Sequence, residues 1–369
     1  MKKTTSTSVQ IGQLLIIGFD GTEMSPRLRS LLTRVQPAGV ILFARNIASG
    51  EQTHRLLKEC QSCVSTPLFT CVDMEGGRVD RFRNVTGPAP SAADVFATGN
   101  PNLYRRHGKI IGQSCRAFGF NTDFAPVVDL AFEASRNVMS SRAVSADPTE
   151  TIAYAGEFLA GLSSARVLGA VKHFPGLGEA NLDTHHELPS VEKSWKNLWG
   201  ADIVPYRALR RESRLVLVGH AAYPAVTHDC TPASLSRKWI TDILRKKIGY
   251  RGLVVSDDLE MGGVLKAAPI EQAAVAHIRA GGDLCLICHL EDNILRSYEA
   301  LGTETARDPN FVRRAKESVA RVLAFKRKSK ELKPSGSTPT AEKVTRLSRQ
   351  LWEFTEQVRL ATIKRQDRA

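Results

Sequence analysis

The chain has 369 residues, 42% hydrophobic and 24% charged, a balance that excludes disordered and collagen-like polymers. Its 51 basic residues exceed the 38 acidic ones by 13, which suits an anionic partner, nucleic acid or a membrane surface, although a solvated surface is the simpler account. No apolar run reaches the ~18–20 residues of a membrane span, and Leu14–Phe19 is shorter than the roughly 7–15-residue core of a signal peptide, so a cytoplasmic protein is expected.

A strand buried on both faces reads as a short, continuous apolar run. Eight such runs follow one another: Leu14–Phe19, Gly39–Phe43, Leu68–Met74, Phe120–Val127, Val167–Phe174, Leu215–Ala222, Gly252–Asp257 and Asp283–Cys288. Helical patterns separate several of them, at Glu51–Cys63, Thr149–Ala165, Lys238–Lys247 and Ile270–Ala280. Eight strand–helix units in this length predict a single-domain (β/α)8 TIM barrel over residues 1–333. A doubly wound open sheet would want a Gly-rich fingerprint after the first strand, and Gly18-Phe19-Asp20-Gly21 does not supply one.

In a barrel, site residues sit where strands end. Polar residues fall there in this chain: Asp73, Lys172 with His173, His220, and Asp257 with Asp258. The segment 334–340 (PSGSTPT) reads as a linker, and 341–369 as a basic amphipathic helix and tail. Thr338 is the expected cap, with Pro339 at the first helical position. From Lys326 to Ala369 there are 12 basic and 5 acidic residues, about half the net charge. The apolar stripe Val344, Leu347, Leu351, Phe354, Val358, Ala361 is expected to pack back on the barrel; a membrane-surface role for it is the less favoured reading.

Three stretches carry chemistry. The first runs from Lys172 to Pro189. Pro175, Gly176 and Gly178 break the strand, and the loop then holds Asp183, His185 and His186. An Asp two residues from a His can fix its tautomer and raise its pKa, as a general acid–base requires. The second, Val254–Met261, ends an apolar run in adjacent carboxylates. Only one of Asp257 and Asp258 is expected to face the barrel mouth. The third, Val72–Phe82 (VDMEGGRVDRF), places carboxylates before a two-glycine turn and guanidinium groups after it.

These strings resemble glycoside hydrolase family 3, and within it the single-domain β-N-acetylhexosaminidases of bacterial cell-wall recycling. With Gly39–Ile47 (GVILFARNI) and Asp123–Asp129 (DFAPVVD) they lie in family order from about residue 10 to 325. The resemblance implies Asp257 as the nucleophile, His185 as the acid–base and Asp183 as its partner. It implies that Asp73, Arg81, Arg142, Lys172 and His173 hold a terminal N-acetylglucosamine. Arg142 lies in Ser-Ser-Arg-Ala-Val, where the family usually has Arg-Ser-Phe; Leu177 replaces a frequent His, and Met74 a common Gln. The implied substrate is a small GlcNAc-containing carbohydrate, a muropeptide or disaccharide, with no cofactor, metal or nucleic acid. The oligomeric state is not indicated.

Other readings carry less. Cys285-Leu-Ile-Cys288-His289 has the spacing of c-type haem attachment but lies in an apolar strand. Pairing it with Cys60 and Cys63 in a zinc site would join a helix to a core strand, so all seven cysteines are expected as reduced thiols. A metal-dependent hydrolase would use His173, His185, His220 and Asp257, but the first strand has no HxH. A family 3 β-glucosidase and a non-catalytic carbohydrate-binding barrel are the remaining alternatives.

Overall fold

The computed structural model describes residues 9–180, 188–334 and 336–367. The strands are β1 (Leu15–Ile17), β2 (Gly39–Ile41), β3 (Phe69–Val72), β4 (Met74–Gly76), β5 (Val79–Asp80), β6 (Thr122–Asp123), β7 (Leu168–Phe174), β8 (Leu215–Val218), β9 (Leu253–Asp258) and β10 (Leu284–Ile287). Eight of them close a parallel barrel in the order β1-β10-β9-β8-β7-β6-β3-β2, while β4 and β5 form a separate antiparallel hairpin. Each barrel strand falls on one of the eight expected runs, β9 ending one residue past its run at Asp258. The architecture is a (β/α)8 barrel with a C-terminal helix.

Alternation along the strands explains why the runs are apolar throughout. Ile16, Ile41, Phe69, Cys71, Leu215, Leu217 and Val255 fill the barrel interior. Leu15, Ile17, Val40 and Val72 point outward against the helices. The helices start at strong local signals. Ser25 accepts from the Leu28 N–H ahead of Pro26–Val35, Ser49 and Gln52 cap Gly50–Ser62 reciprocally, and Asp147 caps Pro148–Ser164. Lys238–Lys247 spans the expected residues but winds with π-type hydrogen bonds.

Two expectations need correction. The run Phe120–Val127 yields only the two-residue β6, because Pro126 lacks the N–H a longer ladder would need; pairing resumes at a single bridge, Val127 to Lys172. The last helix, Ala341–Gln366, is capped by Thr340, whose side chain accepts from the Lys343 N–H. Thr338 instead places its hydroxyl 3.3 Å from His54 Nδ1. Leu347, Leu351, Phe354 and Val358 of this helix are buried, and Phe354 stacks on His107 at 5.7 Å. The helix therefore packs on Pro101–Ala117 and its neighbours. No helix among the described residues is long and apolar enough to cross a membrane, and the seven cysteines form no disulfide.

Candidate active site

At the carboxyl ends of the strands lies a cavity of about 430 Å³. Its floor is apolar, formed by Ile41, Leu217 and Leu286 from the barrel interior, and its walls are charged. The β4–β5 hairpin builds one wall. Gly76 (φ 84°) and Gly77 (φ 59°) take the left-handed conformation that turns the chain back. A Cβ on Gly76 would fall 2.1 Å from the Pro90 carbonyl oxygen, so no other residue fits there. The turn aims Glu75 inward, and Asp123 fixes its base by accepting the Met74 N–H at 2.8 Å.

Lys172, near the end of β7, is 3% exposed and sits between Asp73 (2.8 Å) and Glu75 (2.6 Å). Arg142 grips Glu75 in a fork, 2.8 Å from Nε to Oε2 and 2.9 Å from Nη2 to Oε1. Burial alone would neutralise these groups, and their mutual charges reverse it. Glu75, penalised by burial, is held well below the usual carboxylate range by Arg142 and Lys172. Lys172, despite its burial, is raised above the usual lysine value by Asp73 and Glu75. Arg81 stands 3.9 Å from Asp73, and its buried Nε has no hydrogen-bond partner among the described residues.

The opposite wall carries Asp257. His173 donates from Nδ1 to Asp129 Oδ2 at 2.7 Å, which leaves Nε2 4.0 Å from the Asp257 carboxylate. Asp129 also accepts the backbone N–H groups of His173 and Leu177, so it fixes the turn as well as the ring. The Asp258 N–H donates to Asp257 Oδ1 at 2.9 Å. Burial pushes the Asp257 carboxyl up, but His173, His220, that N–H and Lys172 together bring it below its ordinary value. His220 accepts from Ser234 at Nδ1 and donates from Nε2 to the Asp258 carbonyl; burial lowers its pKa. Both its nitrogens are thus committed to the β8–β9 rim.

Asp73, Arg81, Arg142, Lys172, His173 and Asp257 all line this one cavity, although they come from segments up to 184 residues apart. Asp183 and His185 lie outside the described residues. Asp258 supports the turn, accepting the Glu260 N–H at 3.1 Å, but also lines the cavity beside Asp257, which the strict alternation of a strand did not anticipate. The reason is that β9 ends there and its ladder with β10 shifts register. Among the described residues no three His, Cys, Asp or Glu side chains cluster so as to hold an ion, and His185, one of the ligands of the metal reading, lies outside them. Met74 places its sulfur 3.1 Å from the Arg81 N–H, and Leu177 lines the wall by His173.

Four contributors were not assigned from sequence. Glu75 had a signal, because it stands two residues from Asp73 and so shares its face. Asp129 ends the Asp123–Asp129 string, but nothing local gave its role, since its partner is 44 residues away. Phe43 and His289, stacked at 5.5 Å on the cavity wall, were hidden in an apolar run and in a cysteine motif. A hydrogen bond from His289 to Asp258, 3.2 Å long, raises the imidazole pKa.

Comparison with known proteins bears on this arrangement. The family model described as the glycosyl hydrolase family 3 N-terminal domain matches residues 6–324. A β-hexosaminidase of Stenotrophomonas maltophilia strain K279a is 35% identical over 302 residues, 79% of this chain and 89% of its own. One from Idiomarina loihiensis is 34% identical over 279 residues, 74% and 83% of the two chains. Among solved structures, a family 3 β-N-acetylglucosaminidase from Paenibacillus sp. FPU-7 superposes with a TM-score of 0.86 at 31% identity, covering 95% of this chain and 68% of that one. The parallel barrel with its charged cavity is thus that of a glycoside hydrolase by these matches, and the chain belongs to glycoside hydrolase family 3.

Proposed function

We propose that this glycoside hydrolase is a retaining exo-β-N-acetylglucosaminidase acting on small cell-wall fragments. The observation that carries the reading is the state of Asp257. Asp73 and Glu75 are bound up with Lys172 and Arg142. Among the described residues Asp257 has no lysine or arginine in contact at the cavity wall, and His173, His220 and the Asp258 N–H hold its carboxyl below the ordinary value. Such a group is a nucleophile ready for an anomeric carbon. The apolar floor closes the cavity below, which suits one terminal sugar and an exo cut. The names of the two bacterial relatives and of the Paenibacillus structure favour N-acetylglucosamine as that sugar.

In the first step an Asp257 oxygen bonds to the anomeric carbon as the glycosidic C–O bond breaks, and His185 gives its proton to the leaving oxygen. In the second, water attacks the same carbon, His185 takes the proton and Asp257 is released. Asp183 orients the imidazole. Asp73, Arg81, Arg142, Lys172 and His173 hold the sugar through charge-assisted hydrogen bonds. The deciding experiment compares turnover of aryl β-N-acetylglucosaminide and aryl β-glucoside by the purified protein. A clear preference for the first is expected; a preference for the glucoside selects the β-glucosidase reading, and inertness on both selects a binding protein. His185→Ala is expected to hurt poor leaving groups far more than activated aryl glycosides. An equal loss on both would remove His185 from proton transfer.

A further inference from the structure

The end of the barrel opposite the catalytic cavity has a second concave site. Arg210, Arg211 and Arg214 lie on the segment entering β8, Arg251 on the segment entering β9, and Phe325 on the helix Pro309–Lys328. Together they line a cavity of about 480 Å³. Arg210 donates to the Arg207 carbonyl, and the Arg214 guanidinium lies 5.0 Å from the centre of the Phe325 ring. Among the described residues, none of the four arginines makes an ion pair, and Arg211 and Arg251 make no side-chain hydrogen bond. Glu212, the carboxylate in the same segment, is exposed and outside the lining.

Neighbouring arginines behave differently. Arg245, Arg314 and Arg321 all converge on the buried Asp283. The protein therefore neutralises guanidinium groups on this side of the barrel where they serve packing, and leaves four unneutralised where they surround a cavity. The walls that carry them are fixed. The Leu253 N–H donates to the Arg214 carbonyl at 3.1 Å, Arg245 donates to the Gly252 carbonyl at 2.6 Å, and the Ser213 hydroxyl donates to the Leu215 carbonyl at 2.6 Å. Four exposed like charges around one cavity raise the local potential and attract an ion of opposite charge. Guanidinium forks match phosphate oxygens in pairs, and the concave volume falls in the range of small-ligand sites.

We infer that this cavity binds a small soluble molecule bearing two or more phosphate groups, at a site separate from the hydrolytic one. An extended polymer or a flat lipid surface fits a concave site less well. The test is calorimetric titration of the full-length protein with sodium tripolyphosphate and with a nucleoside triphosphate, at about 0.1 M salt so that loose surface attraction is screened. Saturable one-to-one binding is expected. Arg211→Gln/Arg251→Gln is expected to weaken it at least tenfold, with melting temperature and aryl-glycoside turnover unchanged. The control Arg346→Gln/Arg349→Gln, on the exposed face of the C-terminal helix, is expected to leave it intact. Unsaturable binding, or equal weakening in both double variants, overturns the inference in favour of general surface charge. Co-sedimentation with phosphatidylglycerol vesicles is the second arm. Vesicle binding that depends on Arg211 and Arg251, with no binding of tripolyphosphate, overturns it in favour of a membrane surface.

Discussion

Two buried lysines stand at opposite ends of the barrel and meet opposite environments. Lys172, 3% exposed, lies in the catalytic cavity between two carboxylates and stays charged. Lys326, 4% exposed, lies at the other end with, among the described residues, only neutral acceptors, Gln13 Oε1 at 2.8 Å and Thr66 Oγ1 at 3.2 Å, above the Phe69 ring. Burial lowers its pKa to about 7. The same residue type at equal depth is a fixed cation in one place and a titrating amine in the other. Depth sets the penalty for charge; the counter-charge decides whether it is met. The catalytic end concentrates matched charge because a charged ligand-binding wall must survive in a low dielectric.

If the paired charges at that end exist to leave Asp257 free for attack, its removal gives the largest effect. Asp257→Ala is expected to lower kcat/KM on an aryl β-N-acetylglucosaminide by roughly 10³–10⁵-fold. Asp258→Asn, which keeps the backbone N–H on Asp257 and loosens the pair with His289, is expected to cost about 10–100-fold. Steady-state kinetics decide, and an active Asp257→Ala enzyme would falsify the assignment.

The next test breaks the matched charge itself. Glu75→Gln leaves Arg142 and Lys172 facing each other with one carboxylate fewer. Breaking a buried pair on one side typically costs about 3–5 kcal/mol. A depressed carboxyl pKa contributes stability that is present above its unfolded value and fades as pH falls below it. Glu75 is held low by Arg142 and Lys172 against its burial, so the deficit of the variant is expected to be full at pH 7 and to shrink below pH 4.5. Urea melts of both proteins at pH 7 and pH 3.5 measure it. A deficit constant with pH would mean that shape, not charge, holds the hairpin.

The barrel was legible because each strand is buried on both faces and so needs an uninterrupted apolar run, and because strand ends are where charge appears. Val254–Met261 and Lys172–Gly176 announced themselves in that way. What stayed hidden depends on partners distant in the chain. Asp129 acquires its role from His173, and the capping carboxylate of Glu260 from the N–H groups of Cys288, His289 and Leu290. Sequence spacing carries no trace of such pairs. The Thr340 cap was missed for a local reason: Thr338 and Thr340 flank Pro339, and both have a hydroxyl to offer.

The smallest expected effect sharpens the comparison from the other end. Among the described residues Lys326 has no carboxylate in contact, so its ammonium is a burden on the fold, not a support. Its folded pKa of about 7 lies below the unfolded value of 10.5. The unfolded chain therefore binds the proton more tightly between those two values, and stability rises with pH across that window. Below pH 7 both states are protonated and the full cost of burying the charge is present. Lys326→Met keeps an unbranched apolar stem one atom shorter than the lysine, and Thr66 still has Gln13 as a partner at 3.3 Å. The variant is expected to be more stable than the natural protein by about 1–3 kcal/mol at pH 6. The gain should diminish steadily as pH approaches 10, where the natural lysine folds in its neutral form. Denaturant melts at pH 6, 8 and 9.5 follow the difference. A variant less stable at every pH would mean that the hydrogen bonds to Gln13 and Thr66 outweigh the buried charge, and that the two ends of the barrel treat their lysines alike.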